Sequence, residues 1–73
     1  MFSVGDRVIS NANDLLAVAG GKQWVGKVEC IVDLGGEVVA LHTVGFWVKG
    51  KPPKAPRFTR RTVASDTVTF LKR

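Results

Sequence analysis

Residues 24–44 read W-V-G-K-V-E-C-I-V-D-L-G-G-E-V-V-A-L-H-T-V. From Trp24 to Asp33 the side chains alternate, with Trp24, Val28, Cys30 and Val32 on one face and Lys27, Glu29 and Asp33 on the other. Val25 and Ile31 are apolar exceptions on the second face. A period of two places successive side chains on opposite faces of a strand, so this segment is predicted to be extended. Leu34-Gly35-Gly36-Glu37 follows, and a Gly-Gly pair supplies the positive φ angles of a tight hairpin turn. Val38 to Val44 then returns as a second run of β-formers. The hairpin is the nucleus of the prediction.

Outward from it, Asp6 to Ser10 reads as a first strand and Gly45 to Val48 as a continuation of the hairpin's second arm. Arg57 to Ala64 and Thr67 to Leu71 read as the last two strands, parted by a Ser65-Asp66 turn. Between Asn11 and Gly21 two readings stand. Asn13 or Asp14 caps a single helical turn that Gly20-Gly21 ends, or the segment is a long, partly apolar loop. Seventy-three residues form one domain, 1–73, and bury only about 60% of the unfolded surface. About five short strands in so few residues predict an all-β fold, a small closed or nearly closed barrel, because closure removes exposed edges.

The single cysteine, Cys30, makes no internal disulfide, and its strand position predicts a buried structural thiol in a reducing, cytoplasmic setting. The first residues lack the basic-then-apolar layout of a signal peptide, and the short apolar runs predict no membrane span.

Phe2-Ser3-Val4-Gly5-Asp6-Arg7-Val8 resembles the opening of SH3-like small barrels, including KOW-type and Tudor-like domains. Trp24-Val25-Gly26-Lys27-Val28 resembles their second strand, in which a glycine permits a sharp bend. The resemblance implies an SH3-like barrel and no particular activity, since that architecture hosts many. The same two patches are similar to plasmid-encoded type II dihydrofolate reductases, tetramers around a central pore lined by a Val-Gln-Ile-Tyr run. This chain has no tyrosine, and its one glutamine, Gln23, precedes Trp24. That second likeness implies shared architecture without the reductase site.

Function is expected to lie in charge. Lys49 to Arg61, K-G-K-P-P-K-A-P-R-F-T-R-R, holds all three prolines and six of the eleven Lys/Arg residues, with no Asp or Glu. Residues 1–48 carry three basic and five acidic side chains, against eight and one in 49–73. Such segregation favours a polyanion or an acidic protein face. Lys49, Lys51, Lys54, Arg57, Arg60 and Arg61 are the candidate contacts, on and beside a Pro-stiffened loop at 49–57. Trp47 and Phe58 flank that loop and can stack on bases. Aromatics of a small barrel more often fill its core, and Phe46 and Phe58 are assigned there first, with Trp47 open to either role.

Six phosphate contacts predict a salt slope of about −5 on duplex DNA. The alternative is an adaptor gripping an acidic face of a larger assembly such as RNA polymerase or the ribosome, aided by strand addition at a free edge. Catalysis is not expected. His42 has no Cys or Glu at ligand spacing, Gly20-Gly21-Lys22 lacks the phosphate-loop spacing, and no serine has a base in reach. No cofactor is implied, and a monomer or weak homo-oligomer is expected.

Overall fold

A computed structural model describes residues 1–71. Five strands form one antiparallel sheet: β1 Arg7–Ser10, β2 Gln23–Val32, β3 Ala40–Val48, β4 Thr59–Ala64 and β5 Val68–Phe70. The spatial order is β4-β3-β2-β1-β5, a meander whose last strand returns to the far side of the first. The fold is all-β, with one short helix, α1 Leu15–Ala19, and a 3-10 turn at Ser65–Thr67. The expected closure is not reached. Among the described residues no ladder joins β4 to β5, and each keeps one unpaired edge. The core nevertheless gathers Val8, Trp24, Val28, Leu41, Val63 and Val68, so the sheet curves until all five strands feed one apolar cluster.

The helical reading of the segment after β1 holds. Asp14, rather than Asn13, is the cap, its carboxylate accepting from the Ala17 amide at 3.2 Å. Gly20 ends the helix and Gly21 follows at φ 60. Leu15, Leu16 and Val18 point to solvent, and only Ala17 is buried.

Two expectations for the central hairpin fail, for one local reason each. The tight turn is instead a loop from 33 to 39. The Asp33 carboxylate accepts from the Gly35 amide at 2.8 Å, and this side-chain turn, with Gly35 at φ 87, ends pairing early. Within β2 the register slips between Val28 and Cys30, the first pairing with Thr43 and the second with His42. One inserted residue reverses the alternation beyond it. Ile31 therefore packs on the core, and Cys30 is exposed rather than buried. A thiol reagent is expected to modify Cys30 fully in the native protein within minutes, without denaturant. Protection until the protein unfolds would contradict the bulge.

Where β2 crosses β3, Gly26 faces Gly45. A Cβ at Gly45 would fall on the Val25 carbonyl oxygen and lie 2.5 Å from the Gly26 Cα. A Cβ at Gly26 would lie 2.8 Å from the Trp24 Nε1. Backbone contact this close is open only to glycine. It also lets the Trp24 indole swing under the sheet, where its Nε1 donates to Thr43 Oγ1 at 3.0 Å.

Candidate nucleic-acid interface

β3 ends at Val48 and β4 begins at Thr59, so the basic segment 49–58 is the connection between them. Gly50 at φ 79 turns the chain, with Lys49 and Lys51 bridged on either side of it. Three prolines over Pro52–Pro56 withhold backbone donors and fix φ, which keeps this stretch out of the sheet. Every residue from Lys49 to Phe58 is exposed except Pro56, which is half-buried. Lys49, Lys51, Lys54 and Arg57 lie on this protrusion. Among the described residues, none of these four has an Asp or Glu within ion-pair distance.

Beneath the loop lies an open cleft of about 600 Å³, lined by Phe46, Trp47, Pro53, Ala55, Arg57 and Thr59. Phe58, expected in the core, is 62% exposed and meets Phe46 edge-on at 5.4 Å. The reason is register: Phe58 precedes the first paired residue of β4, so no neighbouring strand covers it. Trp47 serves both roles. It stacks edge-on against Trp24 at 5.2 Å and packs on the core, while also walling the cleft.

The two remaining arginines go elsewhere. Arg60 points outward from β4 over a separate concavity that it shares with Glu29, His42 and Thr62. Its contact with Glu29, at 3.9 Å between largely exposed side chains, is weak and readily screened by salt. His42 in that concavity has its Nδ1 2.9 Å from the Thr62 hydroxyl. Among the described residues, no group of three His, Cys, Asp or Glu converges on a point that could hold a metal.

Arg61 leaves the candidate set. Its guanidinium forms a two-pronged pair with Asp14, Nη1 to Oδ2 at 2.6 Å and Nη2 to Oδ1 at 2.8 Å. The two side chains are only 20% and 3% exposed. The same guanidinium lies over the Trp47 and Trp24 rings, at 4.7 Å and 5.6 Å from their centroids. Hydrogen bonds from the Arg61 side chain, and beyond them the Ala17 amide and the arginine's charge, pull the Asp14 pKa down from its ordinary range against the opposing effect of burial. Arg61 is thus a tie between β4, α1 and the tryptophan pair, with its fork committed inside the molecule.

Lys22 joins the basic surface, although sequence reasoning passed over it. Its ammonium sits 4.1 Å from the centre of the Trp47 ring. Gln23 pairs with Val48, so Lys22 stands opposite Lys49 at the same end of the hairpin. The hairpin register was the signal that could have found it.

The result is a cationic, proline-stiffened loop over an aromatic-walled cleft, at the end of the sheet where β2 starts and β3 stops. The surface there presents several ammonium and guanidinium donors together with indole and phenyl faces. Compared with protein-family models, with curated proteins and with solved structures, the chain matches none of them.

Proposed function

We propose that this protein is a non-enzymatic binding module that holds nucleic acid, free or within a nucleoprotein machine, by its phosphate backbone. Lys49, Lys51, Lys54 and Arg57 carry the contact, with Trp47 and Phe58 offering stacking surface. The observation that carries the reading is the set of four loop cations with no carboxylate partner among the described residues, beside an aromatic cleft. Phosphate contacts of this kind give affinity and little sequence discrimination. The five-stranded antiparallel sheet is compatible with an SH3-like barrel of the KOW or Tudor kind, the architecture proposed with this function. A reducing cytoplasm is the compartment proposed with it. No helix among the described residues is long and apolar enough to cross a membrane.

With Arg61 committed to Asp14 and Arg60 over another concavity, four contacts replace six. Binding to a generic oligonucleotide should then weaken with added salt, with a slope of about −3.6 on duplex DNA and about −2.8 on a single strand. Fluorescence anisotropy across a range of salt concentrations measures this. A flat response would remove the phosphate-led mode. Reversing Lys51, Lys54 and Arg57 together should remove most of that slope, whereas unchanged binding would move the site off the loop.

The second reading, an adaptor on an acidic protein face, is favoured by one feature. Among the described residues the outer edge of β4 has no strand beside it, which leaves it open to strand addition next to the loop. Capture of an acidic partner by a variant that no longer binds oligonucleotide would select it.

A further inference from the structure

A larger concavity than the one at the basic loop lies elsewhere on the described residues. About 860 Å³ in volume, it opens at the other end of the hairpin, where the 33–39 loop meets Phe2 and the 3-10 turn. Phe2, Ile31, Val38 and Val39 give it an apolar floor, and Asp33, Glu37 and Asp66 stand among its walls. These are three of the chain's six acidic residues, and among the described residues none pairs with a Lys or Arg. The nine residues of β3 separate this cleft from the basic loop. Rising about 3.3 Å per step over eight steps, they hold the two loops about 26 Å apart, so the loop of one molecule cannot reach its own cleft. The loop cations and the cleft carboxylates therefore stand at opposite ends of β3.

We infer that the occupant of the acidic cleft is the Lys51–Arg57 segment of a second copy of this chain. The sequence Lys-Pro-Pro-Lys-Ala-Pro-Arg alternates cations with Pro and Ala, which suits an apolar floor ringed by carboxylates. Its prolines hold it extended in advance, so little conformational freedom is lost on docking. A contact between opposite ends is heterologous, and it builds a ring or an open head-to-tail chain rather than a twofold dimer. This holds whether or not the loop also binds nucleic acid. If it does, the two ligands compete for one segment.

The test is the mass of the full chain by sedimentation equilibrium at low ionic strength. Mass should rise with protein concentration and return to that of the monomer when salt is added. Glu37→Lys with Asp66→Lys should keep the protein monomeric, as should Lys51→Glu with Lys54→Glu, each weakening association at least about tenfold. An equimolar mixture of the two double variants should associate again, because the basic loop of the first meets the acidic cleft of the second. All four positions are exposed, and unchanged circular dichroism confirms folding. A synthetic peptide of residues 49–58 should dissociate the unmodified protein, a readout that needs no variant. A wild-type protein that stays monomeric overturns the inference. So does association that survives either double variant, or a mixture that stays monomeric. Oligonucleotide binding by the Glu37→Lys/Asp66→Lys variant should persist, so failure of self-association and failure of the nucleic-acid reading are separate results.

Discussion

Gly45→Ala should destabilise the protein by about 3 kcal/mol or more, a large part of what a domain this small possesses. The methyl group would overlap the Val25 carbonyl and crowd the Gly26 Cα, both backbone atoms of the facing strand. Neither can rotate away as a side chain would. Relief requires the β2 and β3 backbones to part, and that parting would break the ladder that pairs Val25 with Phe46 and Gly26 with Gly45. It would also lift the Trp24 indole from Thr43, loosening the largest buried side chain of the core. Gly36→Ala is the matched control. That glycine has open space around it and no positive φ, so its change should be neutral within about 0.5 kcal/mol. Urea unfolding of the two variants gives both numbers, and a Gly45→Ala midpoint equal to the wild type would contradict the close crossing.

Truncating Arg61 should cost about 3 kcal/mol, more than any of the loop cations, whose loss should barely change stability. Arg61→Met removes both prongs from Asp14 and leaves a nearly buried carboxylate with backbone amides of the helix start and no cation as partners. Asp14→Asn in the same chain removes that stranded charge and keeps a capping side chain, so the double variant should be more stable than Arg61→Met alone. A double-mutant cycle measures the coupling.

The pair also sets an acid limit. The folded-state pKa of Asp14 lies below its unfolded value, so its contribution is complete above the unfolded carboxylate value of about 4. It fades as pH falls through the depressed folded value. Asp14→Asn should therefore narrow its stability deficit against wild type as the solution is acidified through that window. A deficit independent of pH there would deny the ion pair its role.

How much of this was legible in the residues varies with the range of the interaction. Strand identity is local and came through: the alternation from Trp24, the β-formers after Val38 and the Thr-rich final strand all fall in paired segments. The helical turn was legible as an alternative because its cap, Asp14, and its glycine terminator sit within a few residues of each other. The phase of β2 was not. Counting by twos assumes no inserted residue, and the slip at Glu29 reverses everything after it, which is why Cys30 was assigned inward and Ile31 appeared as an exception.

The candidate site divides in the same way. The loop cations are exposed because prolines and a turn glycine keep their backbone out of the ladder, a property written in the segment itself. The commitment of Arg61 to Asp14 was not legible because the two lie 47 residues apart. Still, a signal was present: Arg61 shares strand parity with Val63, which is buried, while Arg60 shares parity with the exposed Thr62. Lys22 was missed for the converse reason, since its neighbour Lys49 becomes visible only once the hairpin is registered.

The central claim is that the cations of residues 49–57, at the end of the hairpin where Lys22 also stands, meet the phosphates. Amide and indole chemical shifts followed by NMR while a short single-stranded oligonucleotide is added test it residue by residue. The largest changes should fall on the non-proline amides from Lys49 through Thr59 and on the Trp47 indole, with Asp33 to Val39 unmoved. Shifts confined to the acidic end, or spread evenly with the loop silent, would contradict the account.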